Sequence, residues 1–446
     1  MKKNYFLAIA VAALMLAATV AQAADVSFSG QFRPRWQINN DSSDNTNGTS
    51  NLTTRVRLNA NANVNANTSV FMQFQSIGTW GNTDAAGNNT ADGSRLSANA
   101  SDALSDVGLH QAYVTLKSFM GQPLDAKIGR QEVVLDGHRL FGHTGWTDGA
   151  QTNDAIRLNH SAGNHTINAI YIAAVENEAE NTATSANSNL WIFRAATQGV
   201  LGGDLTGMFV IADDDAEQTA FDDENTWYTI GARQKGKLGG LDYRVEYYHQ
   251  FGDGSVEAGA TAFNGAYTNL SDSADVDRNA HMFGIRVGKT FKNAKLSPTF
   301  TLWYDSLSGT DDSDASGNDF GTFNTLQDTG HKFYGLMDNF LNARNNGSAY
   351  YGLQDFALKT KFKIDGTNTL KADFHHFETQ TTLDDGDSDD LRTNHAAMGT
   401  ANTGTMNGDL GQEIDVTLVH KYDANTKLVA GYSHYFTTTA FARLNG

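Results

Sequence analysis

The sequence predicts an all-β chain that crosses a membrane as an antiparallel β-barrel. Three observations predict it: an export signal at the N-terminus, period-two alternation in segments of about ten residues, and connections that are short and long in turn. Lys2 and Lys3, an apolar stretch over residues 6–20, and Ala21-Gln22-Ala23 form the three parts of a secretory signal peptide, so residues 1–23 are expected to be cleaved. That stretch is short and Ala-rich, and no other apolar run accompanies it, so any membrane passage falls to strands. Residues 24–446 then read as one barrel domain, placed in the outer membrane of a Gram-negative cell and in contact with its lipid and lipopolysaccharide.

Composition agrees with this class. Gly is abundant at 43 residues while Pro is limited to Pro34, Pro123 and Pro298, so the chain has turn formers without a linker's composition. Cys is absent, which excludes disulfides, thiolate metal sites and a Cys nucleophile. Net charge is −18 and falls to −20 when Lys2 and Lys3 leave with the signal, which argues against nucleic acid as a partner.

The alternation starts at residue 27. Phe28, Phe32, Trp36 and Ile38 share one face, and Ser29, Gln31, Arg33, Arg35 and Gln37 share the other. The next segment sets Val56, Leu58, Ala60 and Val64 against Thr53, Arg55, Arg57, Asn59 and Asn61. Further along, Tyr243, Val245 and Tyr247 oppose Arg244, Glu246 and Tyr248, and Phe356, Leu358 and Phe362 oppose Asp355, Lys359, Lys361 and Lys363. Seventeen strands are expected, near residues 26, 52, 68, 107, 123, 152, 165, 187, 203, 225, 240, 279, 295, 353, 368, 411 and 425. An odd count leaves the last strand on the side opposite the first, so either a closing strand is missing after residue 436, or one strand is split and the count is sixteen.

Turns such as residues 65–67, 161–164, 292–295 and 423–425 alternate with long polar segments at 39–50, 81–106, 133–151, 176–188, 212–224, 253–278, 309–352 and 379–410. Short turns belong on the periplasmic side and long loops outside. Acidic residues crowd the long ones, at Asp213 to Asp215, Asp222 to Glu224, Asp311 to Asp314 and Asp384 to Asp390. Clustered carboxylates suit Ca²⁺, but Asp312-x-Asp314-x-Ser316-Gly317 lacks the closing Glu of a calcium loop, where Phe323 stands instead. Solvated loops are the reading preferred, and no cofactor is expected. Residues 309–352 differ from the other loops, because Phe320, Phe323, Phe333, Tyr334, Phe340 and Tyr350 are too apolar for a solvated tip and predict a constriction.

Residues 109–158 and a downstream block carry a resemblance. Gln111-Ala112-Tyr113, Gly129-Arg130-Gln131, Gly137-His138-Arg139-Leu140, Trp146 and Asp154-Ala155-Ile156-Arg157-Leu158 come first. Ser308-Gly309-Thr310-Asp311, Thr322-Phe323-Asn324, Gly330 to Gly335, Asp338, Glu413-Ile414-Asp415 and Gly431-Tyr432-Ser433-His434 follow in order. In these elements the chain resembles the alginate-export family of outer-membrane porins. The resemblance implies an 18-stranded, monomeric barrel and, from the family's name, a polyuronate cargo. It departs at residues 149–154, where an arginine of the family pattern is replaced by Gln151.

Arg33, Arg35, Arg55, Arg57, Arg157, Arg233, Arg244 and Arg286, with Lys359, Lys361 and Lys363, are the candidate pore-lining residues. A wall of one sign concentrates counter-ions, which predicts passage of anionic solutes such as polyuronates, oligosaccharides or organic acids. The competing account pairs each cation with a wall acid such as Asp242, Glu246, Asp373, Glu413 or Asp415, although the first four arginines have no acid on their own strands. Arg130 is a twelfth candidate if a bulge at Gly129 turns it inward, since strict alternation with Ala126 and Ile128 points it at lipid. A structural or adhesive barrel working through its acidic loops is the alternative function. Catalysis is not expected, since Ser433 and His434 point to opposite faces of one strand, and the scattered histidines lack a metal-ligand spacing.

Overall fold

The computed structural model describes residues 25–39, 49–80, 107–175, 188–214, 225–253, 277–310, 319–340, 348, 351–381 and 408–445. The signal peptide, most of the acidic loop residues and Tyr350 lie outside the described residues. The chain forms two compact units, one comprising residues up to Glu132 with Thr147–Leu158, the other Val133–Trp146 with everything from Asn159.

In the first unit, β1 (Asp25–Asn39), β2 (Thr49–Asn63), β3 (Thr68–Thr79), β4 (Gly108–Leu116) and β5 (Asp125–Gln131) form an antiparallel meander, and β6 (Asn153–Ala162) begins there. The second unit continues with β7 (His165–Val175), β8 (Ser188–Val200), β9 (Gly203–Asp214), β10 (Asn225–Leu238), β11 (Leu241–Asp253), β12 (Asp277–Thr290) and β13 (Thr299–Leu307). It ends with β15 (Leu353–Lys363), β16 (Asn368–Glu378), β17 (Asp409–Lys421) and β18 (Lys427–Thr437), followed by helix α1 (Thr439–Asn445). The remaining strand of the eighteen, β14 (Asp319–Phe320), is a two-residue stretch parallel to β12. Each of the seventeen expected strands is thus a separate long strand, and the count of sixteen is corrected. Each unit also keeps sequence neighbours paired: β1 with β2 over all fifteen positions, and β17 with β18.

Side-chain burial is inverted relative to a water-soluble sheet. Phe28 and Trp36 are each 70% exposed and Leu302 is 65% exposed, whereas Arg55, Gln73, Gln75, Gln111, Arg233, Glu246, Gln250 and Asp305 are buried. On β12 the alternation is plain, with Arg278, Ala280, Met282 and Arg286 covered and their neighbours facing outward. Apolar side chains standing clear of the sheet fit a lipid surround, and polar ones inside need protein partners there.

Those partners come from two long connections that lie on the polar face. In the second unit, residues 133–146 and 319–340 join through a short parallel ladder: Gln327 N–H donates to Leu140 O (3.0 Å), Gly142 N–H to Gln327 O (2.8 Å) and Thr329 N–H to His138 O (3.1 Å). Gly142 is required at that crossing, because a Cβ there would stand 2.1 Å from Thr329 Oγ1. Phe320, Phe323, Phe333, Tyr334 and Phe340 are all buried, so the expected inward fold of the aromatic segment is observed. Phe340 packs on Phe377 at 4.4 Å between ring centres and on Phe441 of α1 at 5.8 Å.

The face assignment makes a stability prediction. Leu302→Arg places a guanidinium among the outward apolar side chains and should cost about 2–4 kcal/mol, whereas Thr301→Gln on the other face should stay within about 0.5 kcal/mol. Urea unfolding from lipid vesicles measures both, and equal effects would contradict the assignment.

Candidate functional site

Four guanidiniums of the first unit converge because the β1–β2 register sets Arg33 opposite Arg55 and Gln31 opposite Arg57. Three of them take partners from a connection more than ninety positions along the chain. Arg33 Nη2 donates to Asp148 Oδ1 (2.7 Å) and to Thr147 O (3.2 Å), Arg35 Nη2 to Asp148 Oδ2 (2.9 Å), and Arg55 Nη1 to Thr147 O (3.1 Å). Gln75 Nε2 donates to Gly149 O (2.9 Å), so the backbone on both sides of Asp148 is also held. Arg57 lies 3.4 Å from Glu132 Oε1 and 3.0 Å from His110 Nε2. Among the described residues, four guanidiniums therefore gather around two carboxylates, which pair with Arg33, Arg35 and Arg57, while Arg55 is held by Thr147 O and Gln31. Neither acid was among the wall acids that alternation suggests, because both sit outside the strands.

Arg157 shares the covered face of β6 with Asn153 and Ala155. Arg130 corrects the expectation of a bulge. The β4–β5 register runs from Leu116–Ala126 to Ala112–Arg130 without a shift, so Arg130 stays on the face of Ala112 and Ile128. Gly129 takes φ +122°, yet this does not turn Arg130 inward. Asp154 on the neighbouring strand receives two of its N–H groups, at 2.8 and 2.5 Å, and the salt bridge offsets the cost of placing a guanidinium among apolar side chains.

The second unit holds a denser cluster. Arg139, on the 133–146 connection, is 1% exposed and reaches three partners: Nε donates to Glu246 Oε1 (3.0 Å), Nη2 to Asp305 Oδ2 (2.6 Å) and Nη1 to Tyr334 OH (2.7 Å). Its guanidinium carbon stands 3.9 Å from the centre of the Phe333 ring. Glu246 also takes Arg244 (3.0 Å) and Arg233 (3.5 Å), and Asp305 takes Arg286 (3.2 Å), whose guanidinium lies 3.3 Å over Trp303. Lys332 Nζ donates to Gly137 O close by (3.1 Å). Burial pushes the carboxyl of Asp328, on the same segment, up to about 8 against the pull of Arg139 and a hydrogen bond from Thr325. Here too four arginines share two carboxylates.

The remaining wall acids are engaged elsewhere. Glu413 Oε1 accepts the backbone N–H of Leu336 (2.6 Å) and Met337 (2.9 Å), and Gly335 lets that turn approach, since a Cβ there would meet the carboxylate at 2.5 Å. Asp355 pairs with buried His375 (2.9 Å), Asp415 accepts from Ser433 (2.5 Å), and Asp242 pairs with Lys237 at an exposed turn. Lys359 lies 3.5 Å from Asp373 and 4.5 Å over Trp303, but Lys361 and Lys363 are exposed at the short-turn end of β15 and join no cluster. The sequence pattern reveals Arg233, Arg244, Arg286 and Glu246 but misses Arg139, Asp305 and Asp148. For Arg139 the available signal is a Gly-His-Arg-Leu stretch within the family-like block.

Removing Arg139 leaves Glu246 and Asp305 buried beneath two unanchored segments. Arg139→Met should therefore destabilise the folded chain by about 3–5 kcal/mol and expose residues 319–340 to protease. Limited proteolysis in detergent measures the exposure, and unchanged cleavage would show that the cluster does not hold the segment.

Comparison with known proteins agrees with this geometry. The structure is similar to OccK8 (OprE) of Pseudomonas aeruginosa, with a TM-score of 0.54 at 12% identity over 93% of this chain and 94% of that one. It is similar to OpdK of the same organism, solved with vanillate, at 0.54 and 12% over 93% and 94%. It is also similar to a BenF-like porin of Pseudomonas fluorescens Pf-5, at 0.53 and 11% over 94% and 95%. At such identity the likeness establishes the fold, that of an outer-membrane porin barrel. No curated protein matches the sequence. The family model described as alginate export matches residues 24–444, and the chain therefore belongs to that family of outer-membrane channels.

Proposed function

We propose that the chain is a passive, monomeric channel for anionic polar solutes, among them polyuronates such as alginate, charged oligosaccharides and organic acids, and that it carries out no chemistry on them. One observation carries this reading: among the described residues, each unit has one cluster that gathers four arginines around two carboxylates on its covered polar face. These are Arg33, Arg35, Arg55 and Arg57 against Asp148 and Glu132, and Arg139, Arg233, Arg244 and Arg286 against Glu246 and Asp305.

Paired charges alone would hold a wall together without favouring either sign. An excess of fixed guanidiniums in a medium of low dielectric leaves positive potential that water screens poorly, and a mobile anion is the species that offsets it. Guanidiniums suit the task because they cannot lose their charge and present several donors in one plane to a carboxylate. Arg157 and Lys359 add to this lining, while Lys361 and Lys363 contribute at the short-turn end. OpdK is described with vanillate, and a further similar structure, OccK2 (OpdF) of P. aeruginosa, with glucuronate at a TM-score of 0.50 and 12% identity over 93% and 92%. Both molecules are carboxylates, which supports the assignment of solute class. The inward aromatic segment narrows the path and explains why such a barrel is selective rather than a wide aqueous pore.

Single channels in a planar bilayer under a salt gradient should show a reversal potential on the anion side. Replacing Arg33, Arg35, Arg55 and Arg57 together by Gln should move it towards cations by tens of millivolts on the order set by a tenfold change in permeability ratio. A cation-selective or unselective wild-type channel would refute the proposal.

A further inference from the structure

We infer that Asp148 is a resident occupant of a carboxylate-binding site, held there by the chain itself until a solute carboxylate takes its place. The inference rests on the anion-channel reading above and adds to it an identified site and the group that competes for it.

The geometry is that of a ligand in its pocket. Asp148 presents one oxygen to Arg33 and the other to Arg35, so its carboxylate is gripped from two guanidiniums at 2.7 and 2.9 Å. The neutral oxygens flanking it are read as well: Thr147 O by Arg33 and Arg55, and Gly149 O by Gln75. A carboxylate with neutral oxygen acceptors on either side is what a hydroxy acid or an acidic sugar offers, and each donor could transfer to it without moving its own backbone. The donors sit on the rigid β1, β2 and β3 ladders, whereas Asp148 sits on a connection, in a stretch with no regular structure from residue 145 to residue 152. The rigid partner is the receptor and the irregular one the replaceable occupant.

Strength favours exchange over permanent closure. The side chains of Arg33, Arg35 and Asp148 are only partly covered, at 23%, 19% and 17% exposed, which places the pair between the surface case and the deeply buried Arg139 cluster. An occupant tethered at this strength lowers the apparent affinity for a solute by the fraction of time the site is free. Removing it should raise that affinity correspondingly.

The test uses D-glucuronate as the probe with the full-length protein. In single-channel recordings Asp148→Asn should lengthen glucuronate blocking events on the order of tenfold, while the added positive charge shifts chloride selectivity far less. The gain should vanish when Arg33→Gln and Arg35→Gln are added. An unchanged or shortened block, or a gain that survives loss of both arginines, overturns the inference. If Asp148→Asn does not fold, Thr147→Cys decides the matter, because the chain has no other cysteine. Glucuronate, but not glucose, should speed maleimide labelling of that cysteine several-fold, and an unaltered rate contradicts displacement. A wild-type reversal potential on the anion side together with any of these negative results leaves the channel reading intact and removes only the role of Asp148.

Discussion

The guanidinium of Arg139 is the tie on which the interior depends. It joins two connections, residues 133–146 and 319–340, to strands β11 and β13 through Glu246, Asp305 and Tyr334, and it is almost fully buried. Carboxylates buried on a strand face need donors brought to them, and for Glu246 and Asp305 the strands supply Arg233, Arg244 and Arg286 at the rim of the cluster, with Arg139 at its centre. With that tie in place the aromatic segment is covered, and the turn at Gly335 can close on Glu413.

Connections and walls exchange charges in both units. In the first unit a wall of arginines receives an acid from a connection, and in the second a pair of wall acids receives an arginine from one. The exchange holds the connections on the polar face by charge-assisted hydrogen bonds, which keep their strength where water is scarce. Among the described residues, the arginines of each cluster outnumber its two carboxylates. Under the proposed function, one arrangement serves both to hold the connections on the polar face and to favour anions.

Much of this fold is legible in the sequence. Period two in short segments places all seventeen long strands, because lipid on one side and polar groups on the other write the same alternation into each. The inward fold of residues 319–340 is legible from their phenylalanines, which have no favourable place in water. The site is legible only in part. Arg33, Arg35, Arg55 and Arg57 declare their face, but their acids, Asp148 and Glu132, lie on no strand and carry no periodicity that would mark them. Arg130 breaks the alternation rule for a reason that alternation cannot show, the presence of Asp154 beside it on the neighbouring strand. Arg139 is one loop arginine among polar residues until the fold brings Glu246 and Asp305 to it, 107 and 166 positions away.

The central claim is that the two clusters, each with more guanidiniums than carboxylates, make the proposed channel pass solutes by charge. Uptake of radiolabelled D-glucuronate and D-glucose into proteoliposomes holding the purified protein tests it most directly, because the two sugars are close in size and differ mainly in a carboxylate. The account predicts that glucuronate enters faster at low ionic strength and that the advantage shrinks as salt screens the interior. Equal entry of the two sugars, or faster entry of glucose at every salt concentration, would contradict it.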